Sequence, residues 1–145
     1  LQRRRQRQMC IRDSTKTGEL VFINAGHESI LTFDQNKNYE YIKSDMPPIG
    51  IVKYFTESMV KSNTINLKDK TFVVYTDGVT EGYLKNGEEL GAEGVQKIIN
   101  DMTEVTPKTI VESIEKELNW GAEKLRDDIT CMAINISNTE LIKKK

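Results

Sequence analysis

Two acidic corners, each next to an apolar strand-like run, constrain the fold of this chain most strongly. Residues 71–75 are all β-branched or aromatic, which predicts a short buried strand, and Asp77 and Gly78 follow close behind it. In the second corner the order is reversed, because Asp127 and Asp128 precede the apolar run 129–136. Antiparallel pairing brings the end of one strand beside the start of its partner. The sequence therefore predicts that Asp77 and Asp127 lie at the same edge of one sheet.

The remaining patterns predict strands first, then two helices, then a last strand. Strand-like runs cover residues 18–24, 30–33, 39–42 and 55–65, and the first three of these are interpreted as an antiparallel meander. Apolar residues at helical spacing predict a helix around residues 95–102. A second helix is expected from the Thr106 cap and Pro107 to a stop near Gly121. This order favours an α+β fold with helices packed against antiparallel sheet.

Arginine is distributed unevenly along the chain. Five of the six arginines lie within the first twelve residues, and the sequence after residue 14 carries 16 Lys and Arg against 21 Asp and Glu. The Arg-rich start lacks interleaved aromatic residues and precedes an acidic domain, which argues against a nucleic-acid partner. Residues 9–14 are similar to translated sequencing-adaptor sequence. We interpret residues 1–14 as a non-native leader that is not part of the fold.

Length and composition fit one globular domain. The chain has 145 residues, of which 37% are apolar and 30% are charged. It contains no apolar run long enough to cross a bilayer. Its two cysteines, Cys10 and Cys131, form neither a disulfide framework nor a zinc site, which predicts a cytoplasmic protein with Cys131 in the core. Residues 138–145 are expected to form a polar tail.

Asp77 and Asp127, with Asp128 beside them, are the first candidates for chemistry. Mg²⁺ and Mn²⁺ prefer carboxylate oxygen and keep waters that can attack a phosphorus centre. A simpler interpretation stays open on spacing alone. An Asp-Gly pair after a strand is often a turn, and an Asp-Asp pair before a strand is often a cap or a solvated edge.

Four ordered segments strengthen the metal interpretation. They read "INAGHESIL", "PPIGI", "VVYTDGVTEGYLKNGEELG" and "LRDDIT". In order and approximate spacing the chain resembles the bacterial metal-dependent protein phosphatases of the protein phosphatase 2C-like superfamily, most of all the SpoIIE and RsbU type. The resemblance covers about residues 17–136. It implies an antiparallel β-sandwich flanked by helices, in an αββα arrangement.

The resemblance also implies roles for particular residues. Asp77 and Asp127 correspond to ligands of one of two Mn²⁺ or Mg²⁺ ions, whose shared water attacks phosphorus in line. Asp128 and Gly78 correspond to positions that either coordinate the metal ion or support the residues that coordinate it. Asn24, Gly26 and His27 match a turn near the active site. His27, the only histidine, suits proton transfer to a leaving serine oxygen.

One departure from the family pattern concerns the start of the domain. The family begins with an acidic "GDxxD"-like segment that supplies a bridging aspartate, and this chain has no such segment. Residues 15–137 are therefore expected to be the C-terminal portion of a phosphatase domain whose N-terminal part is missing. Affinity for hard cations depends on the number and charge of the ligands. The polypeptide alone is expected to be inactive.

The resemblance implies a phosphoprotein substrate carrying phosphoserine or phosphothreonine. In this branch the usual substrate is an anti-sigma-factor antagonist, which places the activity in sigma-factor, stress or sporulation regulation. Fusion to an upstream sensor or membrane region is common in the branch. The complete protein is expected to be cytoplasmic or anchored through such a region.

Two alternatives were weighed against this interpretation. The haloacid-dehalogenase type of phosphatase also uses an aspartate after a strand, but it needs an acid at position 79, where this chain has Val79, and a parallel sheet. A catalytically dead phosphatase fold that binds a partner protein is the second alternative. Retention of both Asp77 and Asp127 argues against it, because a binding module need not keep metal ligands.

Overall fold

The computed structural model describes residues 8–13, 17–54, 56–119 and 128–136, which form two antiparallel sheets and three α-helices. The three-stranded sheet has the order β1(Gln8–Asp13), β2(Glu19–Ala25), β5(Asn63–Asn66). The four-stranded sheet has the order β4(Tyr39–Ile42), β3(Ile30–Asp34), β6(Lys70–Tyr75), β7(Cys131–Ile134). The helices are α1(Asp77–Thr80), α2(Gly91–Asp101) and α3(Pro107–Glu117).

Two hydrophobic cores arrange these elements in three layers. The first core fills the space between the sheets and consists of Leu20, Phe22, Ile30, Ile65, Leu67, Phe72 and Val74. The second lies between the four-stranded sheet and the helices and is built from Leu31, Phe33, Val73, Tyr75, Val79, Leu90, Val95, Ile99, Ile110, Ile114 and Leu118. Strand β6 contributes alternate residues to both cores. Burial on both faces explains its unbroken apolar sequence.

This architecture confirms the predicted α+β fold, an antiparallel sandwich with helices packed against it. Within the described residues the helices α2 and α3 cover the four-stranded sheet. Neither has more than eleven residues, and in the described ranges no helix is both long and apolar enough to cross a membrane.

The predicted meander is wrong in one respect. Strands β2 and β3 are consecutive in the chain but belong to different sheets, and only β3 and β4 form a hairpin. The turn after Ala25 therefore carries the chain from one layer to the other. Alternation along each strand predicts which residues are buried, but it does not distinguish pairing within a sheet from packing across two sheets.

The strand predicted over residues 55–65 is largely wrong as well. Residues 57–59 form a single 3₁₀ turn, and the strand β5 begins only at Asn63. Residues 56–62 are exposed, so they have no face that could pack on a sheet. Residue 55 lies outside the described part of the chain.

Strand β1 differs from the prediction, which treats residues 1–14 as a leader outside the fold. Its backbone pairs with β2 from Gln8↔Ala25 to Asp13↔Leu20. Ladder hydrogen bonds join main-chain groups, so an unusual composition does not by itself exclude a strand. The boundaries at residues 14 and 137 stay predictions, since residues 1–7, 14–16 and 137–145 lie outside the described ranges.

Both predicted helices are confirmed. The hydroxyl of Thr106 accepts the Thr109 N–H at 3.2 Å, and the hydroxyl of Thr109 accepts the Thr106 N–H at 2.9 Å. This reciprocal capping box satisfies two main-chain donors at the start of α3. The helix ends at Glu117, and the predicted stop near Gly121 lies outside the described residues.

Lys37 connects the β3–β4 turn to the C-terminal end of α2. Its Nζ donates to the carbonyls of Ile99 at 3.0 Å, Asn100 at 2.8 Å and Met102 at 3.2 Å. A cation at a helix C-terminus satisfies carbonyls that have no partner within the helix. Replacing Lys37 by methionine should lower the free energy of unfolding by about 1–2 kcal/mol, measured by urea denaturation followed by circular dichroism.

The control for this prediction is Lys85→Met, which removes an exposed lysine from the turn before α2. It should leave the urea midpoint nearly unchanged. Equal midpoints for the Lys37 and Lys85 variants would show that the three carbonyl contacts contribute nothing to stability.

Candidate functional site

One edge of the four-stranded sheet gathers three polar segments. Strand β6 ends at Tyr75 opposite Cys131, where the antiparallel strand β7 begins. Strand β3 also runs antiparallel to β6, with Leu31 opposite Val73, so the turn before β3 reaches the same edge. The predicted antiparallel pairing of β6 and β7 is thus confirmed. Residues 26–29, 76–77 and 128–130 lie together at this edge, which we call the acidic edge.

Asp77 is held at the acidic edge by its own main chain. It is the first residue of α1, is half-buried, and its Oδ1 accepts the N–H of Gly78 at 3.1 Å. Its carbonyl accepts from the hydroxyl of Thr80 at 3.1 Å and from the N–H of Glu81 at 2.8 Å. The single turn of α1 directs the chain away from the sheet directly after strand β6.

Thr76 joins the two acidic corners. Its hydroxyl donates to the carbonyl of Asp128 at 2.8 Å and accepts the N–H of Thr130 at 3.0 Å. Its own N–H donates to the carbonyl of Thr130 at 3.0 Å. These hydrogen bonds place Asp128, the part of the second corner that the structure describes, beside the segment of Asp77. Asp127, the predicted second ligand, lies outside the described residues.

Asn24 organises the turn that precedes β3. Only 2% of its surface is exposed. Its Oδ1 accepts the N–H of His27 at 2.9 Å, and its Nδ2 donates to the carbonyl of Glu28 at 3.0 Å. Both polar atoms of a buried amide are thus used within the turn, as burial requires. Asn24 has a structural role that leaves its side chain little freedom for chemistry.

Gly26 allows the proline loop to pack against this turn. Its φ is 72°, and a Cβ built on it would lie 2.1 Å from Cγ of Pro48. The hydroxyl of Ser44 accepts the Gly26 N–H at 2.7 Å and lies 2.9 Å from the carbonyl of Asn24. Glycine is needed here for two reasons, the left-handed backbone and the close approach of the ring.

His27 is half-buried at the acidic edge. Its main-chain N–H donates a turn-stabilising hydrogen bond to Oδ1 of Asn24. Its Nδ1 is buried and has no hydrogen-bond partner among the described residues. A buried polar atom without a partner costs about 1–3 kcal/mol. The chemical role of the imidazole stays a prediction.

The side chains of Tyr75 and Cys131, next to the acidic edge, are neutral. Burial is the main cause that raises the pKa of Tyr75 to about 12, and the neighbouring Tyr41, Glu28 and Cys131 raise it further. Burial also raises the pKa of the Cys131 thiol to about 11. Both side chains are uncharged near pH 7, so the carboxylates supply the negative charge of the acidic edge.

The donor atoms at the acidic edge are of the kind that Mn²⁺ and Mg²⁺ prefer. Carboxylate and main-chain oxygens suit hard divalent cations, which take about six ligands. In the part of the chain that the structure describes, no group of three or more His, Cys, Asp or Glu side chains is close enough to hold a metal ion. The described residues fit such an ion in chemistry but not in number.

Thr76, Ser44 and Pro48 were not predicted as site residues. Thr76 could have been found from its position, since it is a polar residue between an apolar strand and the candidate ligand Asp77. Ser44 and Pro48 lie about twenty residues from the turn that they support, and no local pattern connects them to it.

Comparison with known families decides the identity of the chain. The model of the family described as "Stage II sporulation protein E (SpoIIE)" matches residues 8–137. The chain belongs to the SpoIIE family. The resemblance seen in the four sequence segments is thereby confirmed. A search of curated proteins found no match.

Solved structures similar to this SpoIIE-family chain include domains described as PP2C or phosphatase domains. The SiaA-PP2C domain of Pseudomonas aeruginosa is 19% identical, with a TM-score of 0.67, and the alignment covers 88% of this chain and 50% of that one. The Mn-presoaked phosphatase domain of SpoIIE from Bacillus subtilis is 17% identical, with a TM-score of 0.64 and coverage of 91% and 56%. RsbX in complex with magnesium is 13% identical, with a TM-score of 0.56 and coverage of 86% and 53%.

These likenesses establish the fold and its extent. The SpoIIE-family chain has a protein phosphatase 2C-like fold and spans about half the length of the solved domains it matches. The haloacid-dehalogenase alternative is wrong, because every strand pair in the two described sheets is antiparallel.

Proposed function

We propose that this chain is the C-terminal portion of a phosphatase that hydrolyses phosphoserine or phosphothreonine on a protein with the help of Mn²⁺ or Mg²⁺. The observation that carries the proposal is the meeting of the two acidic corners through Thr76, in a chain that belongs to the SpoIIE family. Two carboxylate-bearing segments that are far apart in the sequence come together at this edge of the sheet.

Asp77 and Asp127 are the proposed ligands of one ion, and the complete domain is proposed to hold two. Asp128 and Gly78 either add an oxygen ligand or support the ligands from behind. A divalent cation supplies Lewis acidity, since it lowers the pKa of a bound water and stabilises charge on phosphoryl oxygens. Two of the similar structures were prepared with Mn or Mg, which supports the choice of metal.

His27 is the proposed proton donor to the leaving serine or threonine oxygen. Its position at the acidic edge and its buried Nδ1, without a partner among the described residues, support this role. Histidine is the side chain most often used for proton transfer in catalysis. Asn24 and Gly26 hold the turn that positions it.

The polypeptide alone is proposed to be inactive. It spans about half of the solved phosphatase domains, and its described residues do not form a complete metal site. Turnover measured by phosphate release in the presence of Mn²⁺ from the purified chain would contradict this part of the proposal.

Metal binding tests the site directly. We expect isothermal titration to detect weak Mn²⁺ binding by this chain, with affinity falling at least about tenfold in Asp77→Asn and in Asp127→Asn, because each variant removes one charged ligand. The control Asp69→Asn changes an exposed aspartate at the other end of β6 and should bind like the unaltered chain. Equal affinity in all four proteins would exclude a metal site at the acidic edge.

A catalytically inactive binding module is the second candidate function. It is favoured by the lack of a complete cluster of metal ligands in the described ranges. A version extended to the full domain decides between the two functions. The phosphatase proposal expects that version to bind Mn²⁺ and release phosphate, whereas the binding module would do neither.

The partner and location are proposed on the resemblance alone. The proposed substrate is a phosphoserine on a small anti-sigma-factor antagonist, in the regulation of sigma factors, stress or sporulation. A cytoplasmic site of action, with or without an upstream anchor, suits such a substrate.

A further inference from the structure

Thr76 lies at the point where the β6–β7 ladder ends. The last paired residues are Tyr75 and Cys131. Beyond them Asp77 enters α1, while residues 128–130 approach from the other strand. The relative position of the two acidic corners is thus decided outside the regular ladder. The three hydrogen bonds of Thr76 to Asp128 and Thr130 lie in this interval.

The hydroxyl of Thr76 contacts one segment at two points. It donates to Asp128 and accepts from Thr130, so its hydrogen and one lone pair are used on residues two apart in the chain. Two hydrogen bonds to the same segment set both its distance from Thr76 and its orientation. Thr76 is extended, with φ −81° and ψ 162°, and its β-branched side chain has few rotamers.

We propose that Thr76 is a positioning residue that sets the separation of Asp77 from Asp128, so that the two acidic segments can contact one divalent cation. The proposal rests on the proposed function, because it assigns Thr76 a role in the same metal site. Thr76 is not itself proposed as a metal ligand. It acts through the main chain of residues 128–130, which its hydroxyl holds beside Asp77.

The exposure of the residues that Thr76 contacts distinguishes this role from a general role in folding. Asp128 and Thr130 are both exposed, so water can replace the hydroxyl as their hydrogen-bond partner. The hydrogen bond from the Thr76 N–H to Thr130 does not depend on the side chain. Loss of the Thr76 hydroxyl should therefore make the position of residues 128–130 less well defined, while the two sheets stay folded.

The test compares Thr76→Val, which keeps the shape but lacks the hydroxyl, with Thr76→Ser, which keeps the hydroxyl. Isothermal titration of Mn²⁺ should show affinity about tenfold weaker for the valine variant, and within about threefold of the unaltered chain for the serine variant, as is usual for residues that orient metal ligands. Thr64→Val, at an exposed position of β5 in the other sheet, should bind normally.

Amide hydrogen exchange supplies a measurement that does not require metal. The Thr130 N–H should exchange faster in Thr76→Val than in Thr76→Ser, with urea midpoints close to each other. If the valine variant does not fold, Thr76→Ser against Thr76→Gly, compared in the same two measurements, decides the role of the hydroxyl.

The outcomes distinguish this inference from the proposed function. Absence of Mn²⁺ binding both by the unaltered chain and by the version extended to the full domain overturns both. If only the extended version binds Mn²⁺, the same variants are compared in that version. Binding that is lost in Asp77→Asn but unchanged in Thr76→Val overturns the positioning role alone and leaves the metal site intact. Weak binding in the valine variant with rescue by serine supports both.

Discussion

Replacing Phe72 by alanine is expected to lower the free energy of unfolding by about 3–5 kcal/mol, the range typical of a fully buried aromatic side chain. The ring is 0% exposed and lies in the core between the two sheets. It meets the ring of Phe22 edge to face, with the centroids 5.0 Å apart and the planes at 65°. Alanine would leave a cavity between the two sheets that neither sheet can fill.

Urea denaturation followed by circular dichroism measures this loss. Small domains are stable by only about 5–15 kcal/mol, so the midpoint should fall sharply or the variant should not fold at all. Tyr54→Ala is the matched control, because it removes another aromatic ring that is 75% exposed. It should change stability by less than about 0.5 kcal/mol. Similar midpoints for the two variants would contradict the assignment of Phe72 to the core.

Replacing Gly26 by alanine is expected to lower the free energy of unfolding by at least about 2 kcal/mol, from backbone strain and a steric clash together. At φ 72° an alanine is strained, and its Cβ would lie 2.1 Å from Cγ and 2.8 Å from N of Pro48. A proline ring cannot rotate away as a flexible side chain can. The turn that carries His27 should then move relative to the proline loop.

Gly87 is a matched control for the backbone part of this effect. Its φ is 85°, but a Cβ built on it meets nothing within 4 Å. Gly87→Ala should therefore show only the conformational penalty, about 1–2 kcal/mol. The difference between the two alanine variants measures the clash with Pro48, and adding Pro48→Ala to Gly26→Ala should recover part of it. If Gly26→Ala is no less stable than Gly87→Ala, the close packing of the two loops is wrong.

Local signals were sufficient for several elements. The capping residues Thr106 and Thr109 lie three positions apart in the sequence, so the start of α3 could be predicted from neighbours alone. Strand β6 was predicted from its β-branched and aromatic residues, and helix α2 from the spacing of apolar residues such as Val95 and Ile99. In each case the residues that stabilise the element are close together in the chain.

Elements whose partners are distant in sequence were predicted poorly. Strand β1 depends on main-chain pairing with β2, which no composition reveals. The division of β2 and β3 between two sheets depends on packing across the core. The contact of Gly26 with Pro48 and the hydrogen bonds of Lys37 to the end of α2 likewise join segments that no periodicity relates.

The sequence by itself determined the family, the strand that presents Asp77 and the helices α2 and α3, because these depend on residue types at short range. Only the tertiary structure decided that Thr76 holds Asp128 and Thr130 beside Asp77, and that a buried Asn24 places His27 at the same edge. The contacts of Thr76 arise from antiparallel pairing of β6 and β7, which are far apart in the chain, whereas the hydrogen bonds of Asn24 are local and only the position of its turn depends on the sheets. Hydrogen-bond geometry across such distances is set by the packing of the whole sheet.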